Sequence, residues 1–256
     1  MKGEVIVFSP ENNTLSYCAN DLINFFNDKP INALILINPD NPSGNYITHD
    51  NILKLVHWAG DKKIKLILDE SFVEFADIND TMINELYLKK YPWLVVIKSI
   101  SKAYGIPGLR LGVLASGDEE LVASVGKSLS IWNINSFAEF YLQICEKYKD
   151  NFKEAMELFY PVRDAMFEEL KKIKFIEPIP SKANYIMCRL TNKVSSRLLT
   201  EYLLTHQDIF IKDLSNKNGI RGEYIRVAVK TPEENARLIQ GIKSFLTHNN
   251  KLEEMI

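Results

Sequence analysis

The sequence predicts an α/β protein with a mainly parallel sheet, followed by a smaller α+β domain. Three observations carry this prediction. Strand-like and helix-like segments alternate over the first two thirds of the 256 residues. The strand-like runs end abruptly at turn-forming or polar residues. A long helical pattern then precedes the return of strands near the C-terminus. We therefore expect a large domain over residues 1–150 and a small domain over residues 151–256.

The first predicted strand, residues 31–37, is a short and nearly continuous apolar run. Such a run is expected of a strand that is buried on both faces of a parallel sheet. It ends at the turn sequence NPDNPSG, residues 38–44. A helix should follow from about Thr48, because apolar residues then recur three to four positions apart; these residues are Ile52, Leu55, Val56 and Ala59.

Two further strands complete the predicted parallel sheet. Residues 65–68 end at Asp69-Glu70, and residues 94–97 end at Lys98-Ser99. The pattern from about Glu119 to Lys172 is helical, with a break near 131–133 and a second possible break at Pro161. Strands return at 184–189, 209–212 and 224–229. The last helix should begin near Thr231-Pro232, a capping residue followed by proline.

Composition excludes several classes of function. Hydrophobic residues make up 46% and charged residues 25% of the chain, and the net charge is −2, which gives no electrostatic case for binding nucleic acid or an anionic membrane. Three widely spaced cysteines are typical of the reducing cytosol, so we expect a cytoplasmic protein. No metal site is predicted, because the four histidines are far apart; they are His49, His57, His206 and His248.

Polar residues follow three of the predicted strands. Ligands bind open α/β sheets at the carboxyl ends of the strands, so Asn41, Asp69 and Lys102 should converge on one site. The segment 99–112, SISKAYGIPGLRLG, is the most informative. A lysine that burial deprotonates could attack an aldehyde there.

The same segment offers groups that could hold a phosphate. Ser99 and Ser101 would donate hydrogen bonds, and Arg110 would supply a forked cation. The alternative is an ordinary loop with one exposed lysine and an arginine in a surface salt bridge.

Segment 99–112 resembles the SFSKAYGLxGLRxG signature of the class I and II pyridoxal-phosphate (PLP) aminotransferases, most closely the histidinol-phosphate aminotransferase branch. Four more segments are similar to motifs of that family and occur in the same order: 38–44, 68–75, 211–215 and 225–235. The resemblance implies a fold type I PLP-dependent transferase, with the mainly parallel large domain incomplete.

The resemblance also implies a cofactor, pyridoxal 5'-phosphate, and roles for its contacts. Lys102 would form the Schiff base and then transfer the α-proton of the substrate. Asp69 would keep the pyridine nitrogen protonated, and Asn41 would donate to the ring phenolate oxygen. Ser99, Ser101 and Arg110 would bind the cofactor phosphate. A turn or helix-capping role is the alternative for the aspartate and the asparagine.

Two cations near the C-terminus are the predicted substrate contacts. Arg226 would bind the substrate α-carboxylate through a bidentate fork; as a bare arginine on a strand it could instead form an ion pair at the rim of the domain. Lys212 stands where relatives often carry arginine, and it could meet a phosphate or phosphonate tail or be a surface lysine.

The expected function is amino-group transfer between an amino acid or amine, possibly with a phosphate-like tail, and a 2-oxo acid. The alternative enzyme is a decarboxylase of a phosphorylated or phosphono amino acid. Phe72 replaces the tyrosine of most relatives, and both it and residues 132–135 resemble the threonine-phosphate decarboxylase branch.

A third possibility is a truncated, non-catalytic remnant. The family's phosphate clamp and its ring-stacking aromatic residue lie upstream of the matching part of relatives. We accordingly expect weak PLP binding by this chain, an exposed sheet edge and an uncovered apolar face. The resemblance implies a homodimer.

Overall fold

The structure is a computed structural model that describes residues 4–77 and 80–253. It divides into two compact units. The first unit comprises residues 4–8, 16–41 and 45–157, and the second unit comprises residues 9–15, 42–44 and 158–253. The predicted domain boundary at residue 150 stays a prediction.

The helices are α1 (Ala19–Phe26), α2 (His49–Asp61), α3 (Glu85–Lys90), α4 (Glu119–Ser128), α5 (Ser136–Ile144), α6 (Lys149–Lys171), α7 (Ser196–Gln207) and α8 (Pro232–Glu253). The strands are β1 (Ala33–Ile37), β2 (Lys65–Asp69), β3 (Leu94–Ser99), β4 (Gly112–Ser116), β5 (Ile176–Pro178), β6 (Tyr185–Leu190), β7 (Lys212–Asp213) and β8 (Tyr224–Ala228). Short 3-10 helices lie at Val73–Phe75, Pro107–Leu109 and Cys145–Tyr148.

The first unit contains a four-stranded sheet in the order β1-β2-β3-β4. The first three strands are parallel, and β4 pairs antiparallel with β3. Leu36, Leu68 and Val96 lie side by side in this register and are buried. They belong to one core with the apolar sides of α1 and α2. This face of the sheet is called the packed face below.

The opposite face, called the open face below, is largely uncovered by the described residues. Ile35 in β1 is 67% exposed, although its neighbours Leu34 and Leu36 are buried. The prediction that this strand is buried on both faces is therefore wrong for the described residues, because its apolar side chains alternate and helices cover only one side.

Exposed apolar residues continue beyond the open face. None of the residues of α4 is buried, and only Ala138 is buried in α5. Large exposed side chains in this part of the first unit are Val113, Leu114, Leu129, Ile131, Trp132, Phe137 and Phe140.

The second unit contains an antiparallel sheet in the order β5-β6-β8-β7, and apolar residues cover both of its faces. One face, with Ile186 and Ile225, joins the main core of α6, α7 and α8. The other face, with Met187 and Tyr224, packs on Leu214 and on Leu15 from the segment 9–15.

Most predicted elements are present, with changes at their ends. The helix after Thr48 is α2, and its buried residues are the four predicted ones. Pro161 lies inside α6, so a break there is wrong; a proline removes one backbone donor, which a helix of 23 residues can tolerate. The strand predicted over 209–212 contracts to β7. Four elements were not predicted: α1, α3, β4 and β5.

Among the described residues, no helix is long and apolar enough to cross a membrane. Within the same residues, no group of three or more His, Cys, Asp and Glu side chains is arranged to hold a metal ion.

Candidate functional site

Asp69 ends β2 and lies on the open face, since the alternating neighbours Leu66 and Leu68 lie on the packed face. Its Oδ1 accepts hydrogen bonds from the backbone N–H of Ser71 at 2.9 Å and from the Ser71 hydroxyl at 2.5 Å. The other carboxylate oxygen, Oδ2, has no hydrogen-bond partner among the residues that the structure describes. The carboxylate is thus fixed in orientation while one oxygen stays available to a ligand.

Ser71 also joins Asp69 to the next strand. The N–H of Ser99, the last residue of β3, donates to the Ser71 hydroxyl oxygen at 2.9 Å. The hydroxyl therefore donates to the carboxylate and accepts from the backbone of β3. Two of the predicted cofactor contacts, Asp69 and Ser99, are held together by a residue that the sequence analysis did not select.

Asn41 lies in the loop after β1, at the same end of the sheet. The loop is anchored by Asn38, whose side chain is buried and exchanges two 2.8 Å hydrogen bonds with the backbone of Ile47. The N–H of Asn38 donates to the carbonyl of Asp69 at 2.9 Å. The side chain of Asn41 is half-buried, and its role at a cofactor stays a prediction.

Lys102 lies in the loop that follows β3 and is exposed, so the prediction of a buried lysine is wrong for the described residues, and the alternative of an exposed one is observed. Its Nζ lies 5.1 Å from the ring centroid of Phe72, which is buried. This is cation–π distance, so the phenylalanine still provides an aromatic surface where relatives carry tyrosine. Backbone hydrogen bonds hold the loop, including one of 3.0 Å from the N–H of Ile106 to the carbonyl of Ser101.

The three residues predicted to bind the phosphate differ in exposure and in the hydrogen bonds that they already make. The Ser99 hydroxyl has no partner among the described residues. Ser101 is buried, and its hydroxyl points to the carbonyl of Leu111 at a long 3.5 Å. Arg110 is exposed and donates to the carbonyl of Pro107 at 3.3 Å. No carboxylate of the described chain forms an ion pair with this guanidinium, so the predicted alternative of a surface salt bridge is not observed there.

Two predicted substrate contacts are neighbours in the second unit. Lys212 in β7 and Arg226 in β8 are directly opposite in an antiparallel pair. The Arg226 guanidinium lies 4.8 Å from the ring centroid of Tyr185. Two cations on neighbouring positions of one sheet can contact an anionic ligand together, and so this pair is a candidate anion site.

The short strand β7 is held by a hydroxyl clamp. The Ser196 hydroxyl, at the start of α7, lies 2.8 Å from Asp213 Oδ1 and 2.7 Å from Glu223 Oε2. The N–H of Ser215 donates to Asp213 at 2.9 Å. These contacts fix the residue next to Lys212, which explains why a strand of two residues keeps its register.

Sequence reasoning missed Ser71 and a buried ion pair between Glu74 and Lys98. A signal for Ser71 was present, because a hydroxyl residue two positions after an aspartate commonly closes an Asx-type turn. Nothing in the sequence pattern separates Glu74 and Lys98 from ordinary surface charges, because their burial depends on the pairing of β2 and β3.

Comparison with known proteins identifies a family match over nearly the whole chain. The family model described as aminotransferase class I and II matches residues 2–242. The L-serine phosphate decarboxylase of Sulfurospirillum multivorans is 29% identical over 255 residues, which are 96% of this chain and 64% of the relative. The chain thus spans less than two thirds of the length of that relative.

Two solved structures have the same fold. A decarboxylase from Sulfurospirillum multivorans superimposes with a TM-score of 0.84 at 29% identity, over 93% of this chain and 68% of its own. The histidinol-phosphate aminotransferase from Clostridium acetobutylicum gives 0.84 at 31% identity, over 95% and 71%. The fold type I prediction is confirmed, and the two neighbours carry out different reactions on the same scaffold.

Proposed function

Because the chain belongs to the class I and II aminotransferase family, we propose that it acts with pyridoxal 5'-phosphate on an amino acid that carries a phosphate or phosphonate tail, and that it decarboxylates this substrate. The observation that carries the proposal is the pair of facing cations, Lys212 and Arg226, in a protein similar to an L-serine phosphate decarboxylase.

Pyridoxal 5'-phosphate is the cofactor of this family, and the residues of the first unit fit it. When bound, the cofactor supplies an electron sink for a bond broken at the substrate α-carbon. Asp69 presents one unpartnered carboxylate oxygen, suited to a protonated ring nitrogen, while Ser71 holds the other oxygen. Lys102 carries an exposed amine beside an aromatic surface, suited to covalent attachment and to proton transfer.

The remaining proposed cofactor contacts come from residues at the end of β3 and in the loops that follow β1 and β3. The free hydroxyl of Ser99 and the guanidinium of Arg110 would hold the phosphate, and Ser101 would add a donor if its long contact to Leu111 is exchanged. Asn41 would donate to the phenolate oxygen.

The substrate contacts follow from the cation pair. Arg226 would bind the α-carboxylate through two parallel N–H donors. Lys212 would hold the tail, because an ammonium binds phosphate as a point charge without requiring a fork. A substrate with two anionic groups uses both cations.

Aminotransfer to a 2-oxo acid is the second candidate reaction. It is favoured by the match to the histidinol-phosphate aminotransferase from Clostridium acetobutylicum, which equals the decarboxylase in TM-score. Two observations favour decarboxylation over aminotransfer: Phe72 offers no hydroxyl, as in the threonine-phosphate decarboxylase branch, and the chain is similar to the L-serine phosphate decarboxylase of Sulfurospirillum multivorans.

The experiment incubates the chain with pyridoxal phosphate, L-serine phosphate or L-threonine phosphate, and a 2-oxo acid as amino acceptor, and measures carbon dioxide and the keto acid formed from the phosphorylated substrate. We expect carbon dioxide without keto acid, and no product from unphosphorylated L-serine. Lys102→Ala should abolish product, whereas Lys127→Ala, an exposed lysine of α4, should not. Keto acid without carbon dioxide would establish the aminotransferase instead.

Absence of both products, together with no modification of Lys102 after borohydride reduction, would favour a non-catalytic remnant. A homodimer is also proposed, since it is typical of the family and the exposed apolar side chains of α4 and α5 offer a surface to cover. Sedimentation of the chain with and without the cofactor would test it.

A further inference from the structure

The Glu74–Lys98 ion pair has little exposure to solvent. The side chain of Lys98 is 12% exposed and that of Glu74 is 4% exposed. Other ion pairs of the first unit, such as Lys65–Asp118 and Lys89–Glu85, are considerably more exposed. Removing two charges from water costs roughly what their attraction returns, so such a pair adds little net stability over apolar residues. Its role has to be sought in what it holds in place.

The pair joins the two segments that meet at Lys102. Lys98 immediately precedes Ser99 on β3 and lies four residues before Lys102. Glu74 lies in the 3-10 turn Val73–Phe75, two residues after Phe72. The ring of Phe72 is the surface over which the Lys102 amine lies. The ion pair therefore ties the turn that carries the ring to the strand that leads to the amine.

A second carboxylate completes the cluster. Glu70 is buried and follows Asp69, so one more step of the parallel register would place it beside Lys98. Its oxygens accept from the Thr81 hydroxyl at 2.5 Å and from the N–H of Met82 at 2.7 Å. Burial raises the pKa of Glu70, and the hydrogen bonds from Thr81 and Met82, followed by the nearby Lys98 charge, oppose that rise. Lys98 is thus a cation close to two buried acids.

The field of Glu74 also reaches the Lys102 loop. Burial, and next the negative charge of Glu74, raise the pKa of Tyr104 to about 12. The Tyr104 ring stacks on Phe152 with centroids 4.2 Å apart. Tyr104, two positions after Lys102, therefore packs against Phe152 and is close enough to Glu74 to be affected by its charge.

We propose that Glu74 and Lys98 are positioning residues for the cofactor lysine: their ion pair sets the Phe72 ring against the Lys102 amine and so determines how readily Lys102 is joined to pyridoxal phosphate. Neither residue touches the cofactor. The inference rests on the proposed function, which assigns the attachment to Lys102.

The experiment measures attachment and stability separately. Each variant is incubated with increasing pyridoxal phosphate and reduced with borohydride, and the modified fraction of Lys102 is read by peptide mass spectrometry. Unfolding in urea is measured in parallel. Lys98→Met leaves two buried acids without their cation, and we expect about tenfold more cofactor for half-modification and a lower urea midpoint.

The double variant Glu74→Gln with Lys98→Met separates positioning from stability. Neutral residues of similar volume in place of a buried pair commonly restore stability. We expect its urea midpoint to return to that of the parent chain while its attachment stays about tenfold weaker. Lys98→Arg, which keeps the charge, should attach as the parent does. The matched control is Lys65→Met, which removes the more exposed Lys65–Asp118 pair of the same sheet and should leave attachment unchanged.

The outcomes are distinct. A double variant that attaches as well as the parent overturns the positioning role and leaves the proposed function intact. A parent chain that is never modified at Lys102 overturns the proposed function and this inference with it. Should Lys98→Met fail to fold, the double variant and Lys98→Arg still decide between the two.

Discussion

The two sheets differ in how their faces are used. In the second unit both faces are covered, by the main core on one side and by a smaller apolar cluster on the other. In the first unit α1 and α2 cover the packed face, whereas the open face carries Asp69 and the exposed Ile35, and Val95 is its one buried apolar side chain among the described strands. Asp69 thus lies on the face where packing makes the fewer demands.

The largest expected effect tests the second sheet. Ile186 and Met187 are adjacent in β6 and point to opposite faces, and both are fully buried. Truncation of either to alanine should lower the free energy of unfolding by about 3 kcal/mol, because either leaves a cavity. Urea unfolding measures the change. Leu198→Ala, at an exposed position of α7, is the control and should cost under about 0.5 kcal/mol. A cost for only one of the two neighbours would contradict coverage of both faces.

Urea unfolding of variants in the first sheet should show a large loss of stability for a truncation on the packed face and a small one for a truncation on the open face. Leu68→Ala on the packed face should cost about 3 kcal/mol. Ile35→Ala on the open face should cost under about 0.5 kcal/mol in the isolated chain, because most of that side chain is already in water. A large loss at Ile35 would mean that something covers the open face in solution, with self-association as the first process to examine.

This asymmetry marks the limit of what the sequence could predict. The period of buried residues in α2 and the presence of β1, β2 and β3 follow from local patterns, and both were predicted. The open face was not, because the apolar run at 31–37 reads the same whether one or both sides of a strand are covered. Whether a face of the strand is covered depends on which other elements pack against it, and a local sequence pattern carries no information about that.

The residues of the candidate site also fall into those that the sequence could predict and those that it could not. Motif resemblance selected Asp69, Lys102 and Arg226, but it could not select Ser71 or the Glu74–Lys98 pair. Those contacts need the pairing of β2 with β3, which brings residues 28 positions apart within 2.9 Å. The sequence also left the role of Lys212 open, since only the register shows that it faces Arg226.

A smaller effect concerns the buried carboxyl of Glu70, whose titration should make the free energy of unfolding depend on pH. Burial raises the pKa of Glu70, so the folded protein holds this proton more tightly than the unfolded chain, whose glutamates titrate near about pH 4.3. The free energy of unfolding should therefore fall as pH rises from that value through the raised pKa of the folded state, and then level off. Glu70→Gln removes the titrating group and should remove this step.

Urea unfolding at a series of pH values between about 4 and 8 measures the difference between parent and variant. Glu85→Gln, at an exposed position of α3, is the control and should follow the parent curve. Parallel curves for Glu70→Gln and the parent would show that the buried carboxyl contributes nothing to the pH dependence.

The smallest expected effect concerns Lys212 and Arg226, which are opposite each other in the second sheet. Lys212 and Arg226 face each other as like charges, so Lys212→Met should raise the free energy of unfolding by about 0.5 kcal/mol in buffer without multivalent anions. Added phosphate should stabilise the parent, because a ligand that binds only the folded state adds stability by mass action, and it should stabilise the variant less.

Lys174→Met, which removes an exposed lysine before β5, separates this local effect from a change in net charge. If both lysine variants respond to phosphate alike, general screening accounts for the result and the facing pair is not an anion site. If only Lys212→Met loses the response, the facing pair is a site that binds an anion.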